Sequence, residues 1–100
     1  MESRPVLEVA DKVKTPRLYA VMMHNDDFTT MDFVVDVLVK VFHKTNEEAA
    51  GVMMQVHEQG KGIAGIYTYD IAVTKKVHAD QMAAEKGFPL RLTVEWVTDK

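Results

Sequence analysis

The segment Leu90-Arg91-Leu92-Thr93-Val94-Glu95-Trp96-Val97 alternates apolar residues with arginine, threonine and glutamate. Successive strand side chains point to opposite faces, so a period of two specifies a half-buried strand. Such a strand needs neighbours to pair with and a second layer to bury its apolar face. Two shorter runs can supply the neighbours. Leu18-Tyr19-Ala20-Val21-Met22-Met23 is bounded by Pro16 and by Asn25-Asp26-Asp27, and Ile63-Ala64-Gly65-Ile66-Tyr67 follows a glycine pair. Short apolar runs between turn residues read as strands.

The second layer comes from helical spacing. Thr29 with Asp32 resembles a capping box with Asp in place of Glu. Phe33, Val34, Val37, Leu38, Val41 and Phe42 then form a stripe that ends near His43. Thr45 with Glu48 is a capping box of standard form. It opens a helix with Ala49, Val52, Met53, Val56 and His57 on one side, and Gly60 stops it. Thr68 can cap a third helix in which Ile71, Ala72, Val77 and Met82 face the core and Gly87 ends the run. The expected fold is α+β, in the order β-α-α-β-α-β, a three-stranded antiparallel sheet with three helices packed on one face. Residues 1–16 read as a flexible tail and residues 17–100 as the core domain, because the first segment lacks periodicity.

Composition narrows the function. One hundred residues allow one core and no second domain. A net charge of −3 argues against nucleic acid, which demands clustered Lys and Arg. Without cysteine there is no disulfide scaffold, zinc ribbon or thiol chemistry, and a reducing compartment is expected. No apolar run approaches the roughly 20 residues of a membrane span, and Met1-Glu2-Ser3-Arg4-Pro5 has no signal-peptide character. The expectation is a cytoplasmic protein, monomeric, with neither membrane nor nucleic acid as partner.

Several motifs fail on context. Gly60-Lys61-Gly62-Ile63-Ala64-Gly65 matches G-x-G-x-x-G, but it follows a helix and opens a strand, the reverse of a phosphate-binding loop. His57-Glu58-Gln59-Gly60-Lys61 begins like H-E-x-x-H, yet its fifth residue is a lysine, which cannot share a metal with His57. His24, His43 and His78 lie in other elements, so no metal or other cofactor is expected. Ser3 is the only serine, which leaves an enzyme without an obvious nucleophile.

One constellation survives. Asn25 and Asp26 sit in a turn between strand and helix. Met31 and Val34 share a face of the first helix, and Met53, Val56 and His57 share a face of the second. If those helices form a hairpin, an apolar pocket arises with amide, carboxylate and imidazole at its rim. Each element also has an ordinary role: Asn and Asp as turn formers, methionine and valine as core, histidine as complement to a helix dipole. A protein-interaction domain like those of the ribosomal stalk would keep the helices without needing the polar set. A small hydrolase using His57 and Asp26 would lack a nucleophile.

The stretches His24-Asn25-Asp26-Asp27-Phe28-Thr29-Thr30-Met31-Asp32-Phe33-Val34, Met53-Met54-Gln55-Val56-His57-Glu58-Gln59-Gly60-Lys61-Gly62 and Thr74-Lys75-Lys76-Val77 resemble the ClpS family of proteolytic adaptors. The resemblance runs from about Leu18 to Trp96. It implies a non-catalytic adaptor. Such a protein binds N-degron substrates through a free α-amino group and a bulky first residue (Leu, Phe, Tyr or Trp), then delivers them to the N-domain of a ClpA- or ClpC-type AAA+ unfoldase working with the ClpP peptidase. By the same resemblance Asn25, Asp26 and His57 hold the amine, and Asp27 and Thr29 the peptide backbone. Met31, Val34, Met53, Val56 and Leu90 line the side-chain pocket, while Asp70 and Lys75 meet the unfoldase. Met31 matches the position that crowds β-branched side chains. Phe28 and Thr30 depart from the Tyr and Pro common in this turn.

Overall fold

The computed structural model describes residues 16–97, so the expected tail, apart from Pro16, lies outside the described residues. The chain runs β1 (Tyr19–His24), α1 (Met31–Lys40), α2 (Asn46–Gln59), β2 (Lys61–Tyr67), α3 (Tyr69–Lys86) and β3 (Arg91–Trp96). The sheet is antiparallel throughout, in the order β2-β1-β3. The expected element order and sheet are those observed.

Alternation along β1 divides its residues between two faces. Val21 and Met23 are fully buried and join Ala64 and Leu92 in one cluster with residues of all three helices. Ala20 and Met22 lie on the opposite face, where Ile63 and Ile66 of β2 remain exposed. The helices therefore cover one side of the sheet. In β2, Val21 is opposite Gly65 but Met22 is opposite Ile63, so Ala64 is an extra residue and a bulge. That bulge places Ala64 fully in the core.

Three expectations need correction. The cap of α1 is Thr30, whose hydroxyl accepts from Phe33 N at 3.1 Å; Thr29 instead bonds back to Asp26. α1 also stops short of His43. That residue adopts a left-handed φ of 58°, and Lys44 N bonds to Leu38 O at 3.1 Å to finish the turn. In α3, Ile71 and Val77 are exposed, and the buried residues are Ala72, Ala79 and Ala83. Small side chains on the packed face let α3 lie close to the sheet, which leaves no room there for longer ones. Thr68 does occupy the N-cap position of α3, though its side chain makes no capping bond.

The capping box of α2 is closed on both sides. Glu48 N donates to Thr45 Oγ1 at 3.1 Å and Thr45 N donates to Glu48 Oε1 at 2.9 Å. At the other end Gly60 takes a φ of 89°, open to glycine without strain, and its N–H bonds to Val56 O at 2.9 Å.

Candidate functional site

The end of α2 and the turn after β1 meet because the strands on either side of them pair. His24, last in β1, is opposite Lys61, first in β2. The next residues outward are therefore neighbours, and Asn25 N donates to Gly60 O at 2.9 Å. This places the last turn of α2, with His57, beside the Asn25-Asp26-Asp27 segment. β2 also approaches α2 closely at Gly62: a Cβ there would stand 3.0 Å from Val56 Cγ2 and 2.9 Å from Gln55 Oε1. Only a glycine lets this strand lie so near the helix that carries Val56 and His57.

The turn is held by its own side chains. Asp26 Oδ1 accepts from Phe28 N at 2.8 Å and from Thr29 N at 2.7 Å, and Oδ2 accepts from Thr29 Oγ1 at 2.7 Å. An aspartate that folds back on the amides two and three residues ahead fixes those residues' backbone. Burial alone would raise the carboxyl's pKa, but the bonds from the Thr29 hydroxyl and amide and from the Phe28 amide outweigh it. The net effect holds Asp26 below its ordinary value, so it is an anion at neutral pH.

Between this turn and the facing sides of α1 and α2 lies a cavity of about 270 Å³. It is lined by Asn25, Asp26, Asp27, Thr29, Met31, Val34, Met53, Val56 and His57. Val34 and Val56 are buried and make the floor, Met53 is half-buried, and Met31 is half exposed at the mouth. Asn25, Asp27 and His57 are exposed at the rim. The volume is just under the range of about 300–1,000 Å³ usual for drug-sized ligands, which suits one side chain and its amine. Two carboxylates and no lysine or arginine line the cavity, so its field favours a cation.

Nine of the residues singled out from the sequence thus converge on one cavity. Leu90 does not line it: this residue is buried in the core cluster with Val34 and Val56. Asp70 is exposed in the first turn of α3. Lys75 is engaged within the molecule, its Nζ donating to Val41 O at 2.8 Å and lying 5.7 Å from the Tyr67 ring centre. Thr30 and Gly62 also shape the site; on sequence neither is given a site role, although both lie within the stretches that carry the family resemblance. His24 takes no part in the cavity, because it shares the open sheet face and its Nε2 meets Thr93 Oγ1 at 2.8 Å. Burial, helped by the Arg91 charge, keeps that ring's pKa below its ordinary value. Among the described residues no group of three His, Cys, Asp or Glu side chains could hold a metal, and no helix is long and apolar enough to cross a membrane.

Residues 14–93 match the family model of the ATP-dependent Clp protease adaptor protein ClpS. A ClpS adapter of Lawsonia intracellularis is 45% identical over 98 residues, covering 98% of this chain and 90% of that one. The ClpS adapter of Acetivibrio thermocellus is 52% identical over 82 residues, covering 82% and 83% of the two chains. Among solved structures, Agrobacterium tumefaciens ClpS2 bound to L-phenylalaninamide superposes with a TM-score of 0.80 at 40% identity, over 83% of this chain and 100% of that one.

Proposed function

The chain belongs to the ClpS family of Clp protease adaptor proteins, and from that premise we propose that it captures N-degron substrates and passes them to a ClpA- or ClpC-type unfoldase. The observation that carries the proposal is a cavity in which an apolar floor of Val34 and Val56 meets an acceptor-rich, anionic rim. A protonated α-amino group has three donors and requires three acceptors. The Asn25 side-chain carbonyl and a ring nitrogen of His57 are two of them. Asp26 is the third, directly or through water. Its Oδ1 already accepts two amides, so the amine meets the spare lone pair of Oδ2 and the negative charge.

The first side chain of the substrate then enters the cavity among Met31, Val34, Met53 and Val56. Burying a Leu or Phe there contributes roughly 1.5–3 kcal/mol. Leu90 supports this floor from the core instead of touching the ligand. Asp27 and Thr29, on the rim, hold the peptide main chain. L-Phenylalaninamide, the ligand of the Agrobacterium neighbour, has a free α-amino group and an aromatic side chain, which supports the same division of labour here. The adaptor does no chemistry itself. Delivery in the cytoplasm uses the exposed start of α3, with Asp70 the freer contact, since the Lys75 ammonium is already committed to Val41 O.

The test is a peptide titration with Leu-, Phe-, Ile- and Met-initiated peptides beside an N-acetylated Leu peptide. Acetylation removes the charge and two donors, so binding should fall at least tenfold, the cost of leaving polar rim groups unmatched. Equal binding of the acetylated peptide overturns the proposal.

A further inference from the structure

The chain has four phenylalanines, and three of them are packed. Phe33 and Phe42 are buried, and Phe88 lies against the core with its ring 4.9 Å from that of Phe33. Phe28 is 74% exposed and stacks on no other aromatic ring among the described residues. A single exposed aromatic needs no explanation by itself. What sets Phe28 apart is its place and its rigidity. It sits between Asp27 and Thr29, both of which line the cavity, while its own side chain stays outside. Its amide is fixed on Asp26 Oδ1, and the next residue is fixed twice on the same carboxylate. An aromatic side chain on a fixed backbone has only two torsions to order, so it offers contact area at low entropic cost.

A bound substrate continues past its first residue. Consecutive Cα atoms are about 3.8 Å apart, and in an extended chain alternate side chains point to opposite sides. With the first side chain in the cavity, the second is therefore held outside it, at the rim. Resting on the N-degron reading above, we infer that Phe28 is a specificity-determining residue that contacts the second side chain of the bound polypeptide and favours an apolar or aromatic residue there. The cavity then selects the first residue, and Phe28 selects the second.

The experiment compares Leu-Gly- and Leu-Phe-initiated peptides of otherwise equal sequence on the full chain, as wild type, Phe28→Ala and Phe28→Tyr. Acetyl-Leu-Gly serves as the amine control. The wild type should bind the Leu-Phe peptide roughly 3- to 10-fold tighter than the Leu-Gly peptide, the size of one aromatic contact. Phe28→Ala should bring the ratio near one, and Phe28→Tyr should keep most of it. The alanine variant should fold normally, because the exposed ring supports no core residue and its backbone bonds remain. Amine-dependent binding with no second-residue preference, or a preference unchanged in Phe28→Ala, overturns the inference and leaves the N-degron reading standing. Binding indifferent to acetylation overturns that reading and the inference with it.

Discussion

Asp26 has two duties, and a pair of substitutions separates them. Asp26→Ala removes three hydrogen bonds, two from Thr29 and one from the exposed Phe28 amide. Bonds to a charged acceptor are worth about 1.5–3 kcal/mol when protected, but water can replace part of this set at a half-exposed turn. The expected loss of stability is about 1–3 kcal/mol in total. Asp26→Asn keeps Oδ1 for both amides. Its Nδ2 replaces Oδ2, and the Thr29 hydroxyl can turn to accept from it, since a hydroxyl both donates and accepts. That variant should lose less than about 1 kcal/mol, because the geometry stays while the charge goes.

Peptide affinity should follow the charge. An ammonium about 4 Å from a carboxylate gains about 1 kcal/mol in water and about 4 kcal/mol at an effective dielectric of 20. A rim position is nearer the first value, so a loss of about 1–2 kcal/mol, roughly 5- to 30-fold in Kd, is expected for both variants. Urea unfolding and fluorescence-anisotropy titration of a Leu-initiated peptide at pH 7 measure the two effects. Acid supplies a further check on sign. The hydrogen bonds hold Asp26 below its ordinary value of about 3.9, so its contribution is complete above that pH and is lost as pH falls through the folded value. Asp26→Asn should remove this part of the wild type's acid sensitivity. If the asparagine variant binds the peptide as wild type does, the carboxylate only builds the turn. If it is as unstable as the alanine variant, the hydrogen-bond account of the turn is wrong.

Met31 is half exposed at the cavity mouth, and on the proposed function it is the group that would crowd a branched β-carbon. Met31→Ala should narrow the gap between Leu- and Ile-initiated peptides, read as the ratio of their Kd values; an unchanged ratio places the filter elsewhere. Lys75→Ala deletes the bond to Val41 O at the C-terminal end of α1 and should cost about 1–2 kcal/mol in urea unfolding. A wild-type midpoint would mean that the ammonium contributes nothing to the fold. Gly51 lies within α2, and a Cβ there meets nothing within 4 Å, so Gly51→Ala should stabilise the protein by about 0.8–1 kcal/mol through helix propensity. A lower urea midpoint would show that the bare backbone at Gly51 has a use in the folded state.

The strands and the first two helices were legible because large apolar residues repeat at the period of their element. Leu92 inside and Arg91 outside can be read from alternation alone, and the Thr45–Glu48 box is local chemistry that needs no tertiary contact. α3 is legible only in part, for the opposite reason: Ala72 and Met82 pack on the core as expected, but Ile71 and Val77 do not. Its buried residues are alanines, which carry little hydrophobic signal, and Ile71 and Val77 suggest a stripe that solvent in fact covers. The cap of α1 could not be read because two adjacent threonines competed for it, and the winner depended on Asp26 taking Thr29. Leu90 carries the same lesson for the site. Resemblance gave it a chemical role, but whether a residue touches the cavity or lies beneath it depends on packing depth, which spacing does not encode.

The proposed ligand is matched to the hydrogen-bonding capacity the fold leaves over. Among the described residues no buried side-chain nitrogen or oxygen lacks a partner, so spare capacity lies at solvent-facing rims. Around the cavity several amides are already engaged: Asn25 N on Gly60 O, the Phe28 and Thr29 amides on Asp26, and Phe33 N on Thr30. These four amides are spent, and oxygen lone pairs and the carboxylate charges of Asp26 and Asp27 remain at the rim. A phosphate or a carboxylate would meet the negative charges of Asp26 and Asp27, with no lysine or arginine in the lining to offset the repulsion. A cation with several N–H groups and an apolar tail meets the reverse, and the proposed ligand, the protonated N-terminus of a chain beginning with Leu or Phe, is a group of that kind. The turn-forming bonds of Asp26 therefore bear on the rim's preference: they consume the Phe28 and Thr29 amides and the Thr29 hydroxyl, and the carboxylate that takes them keeps its charge for a donor-rich cation.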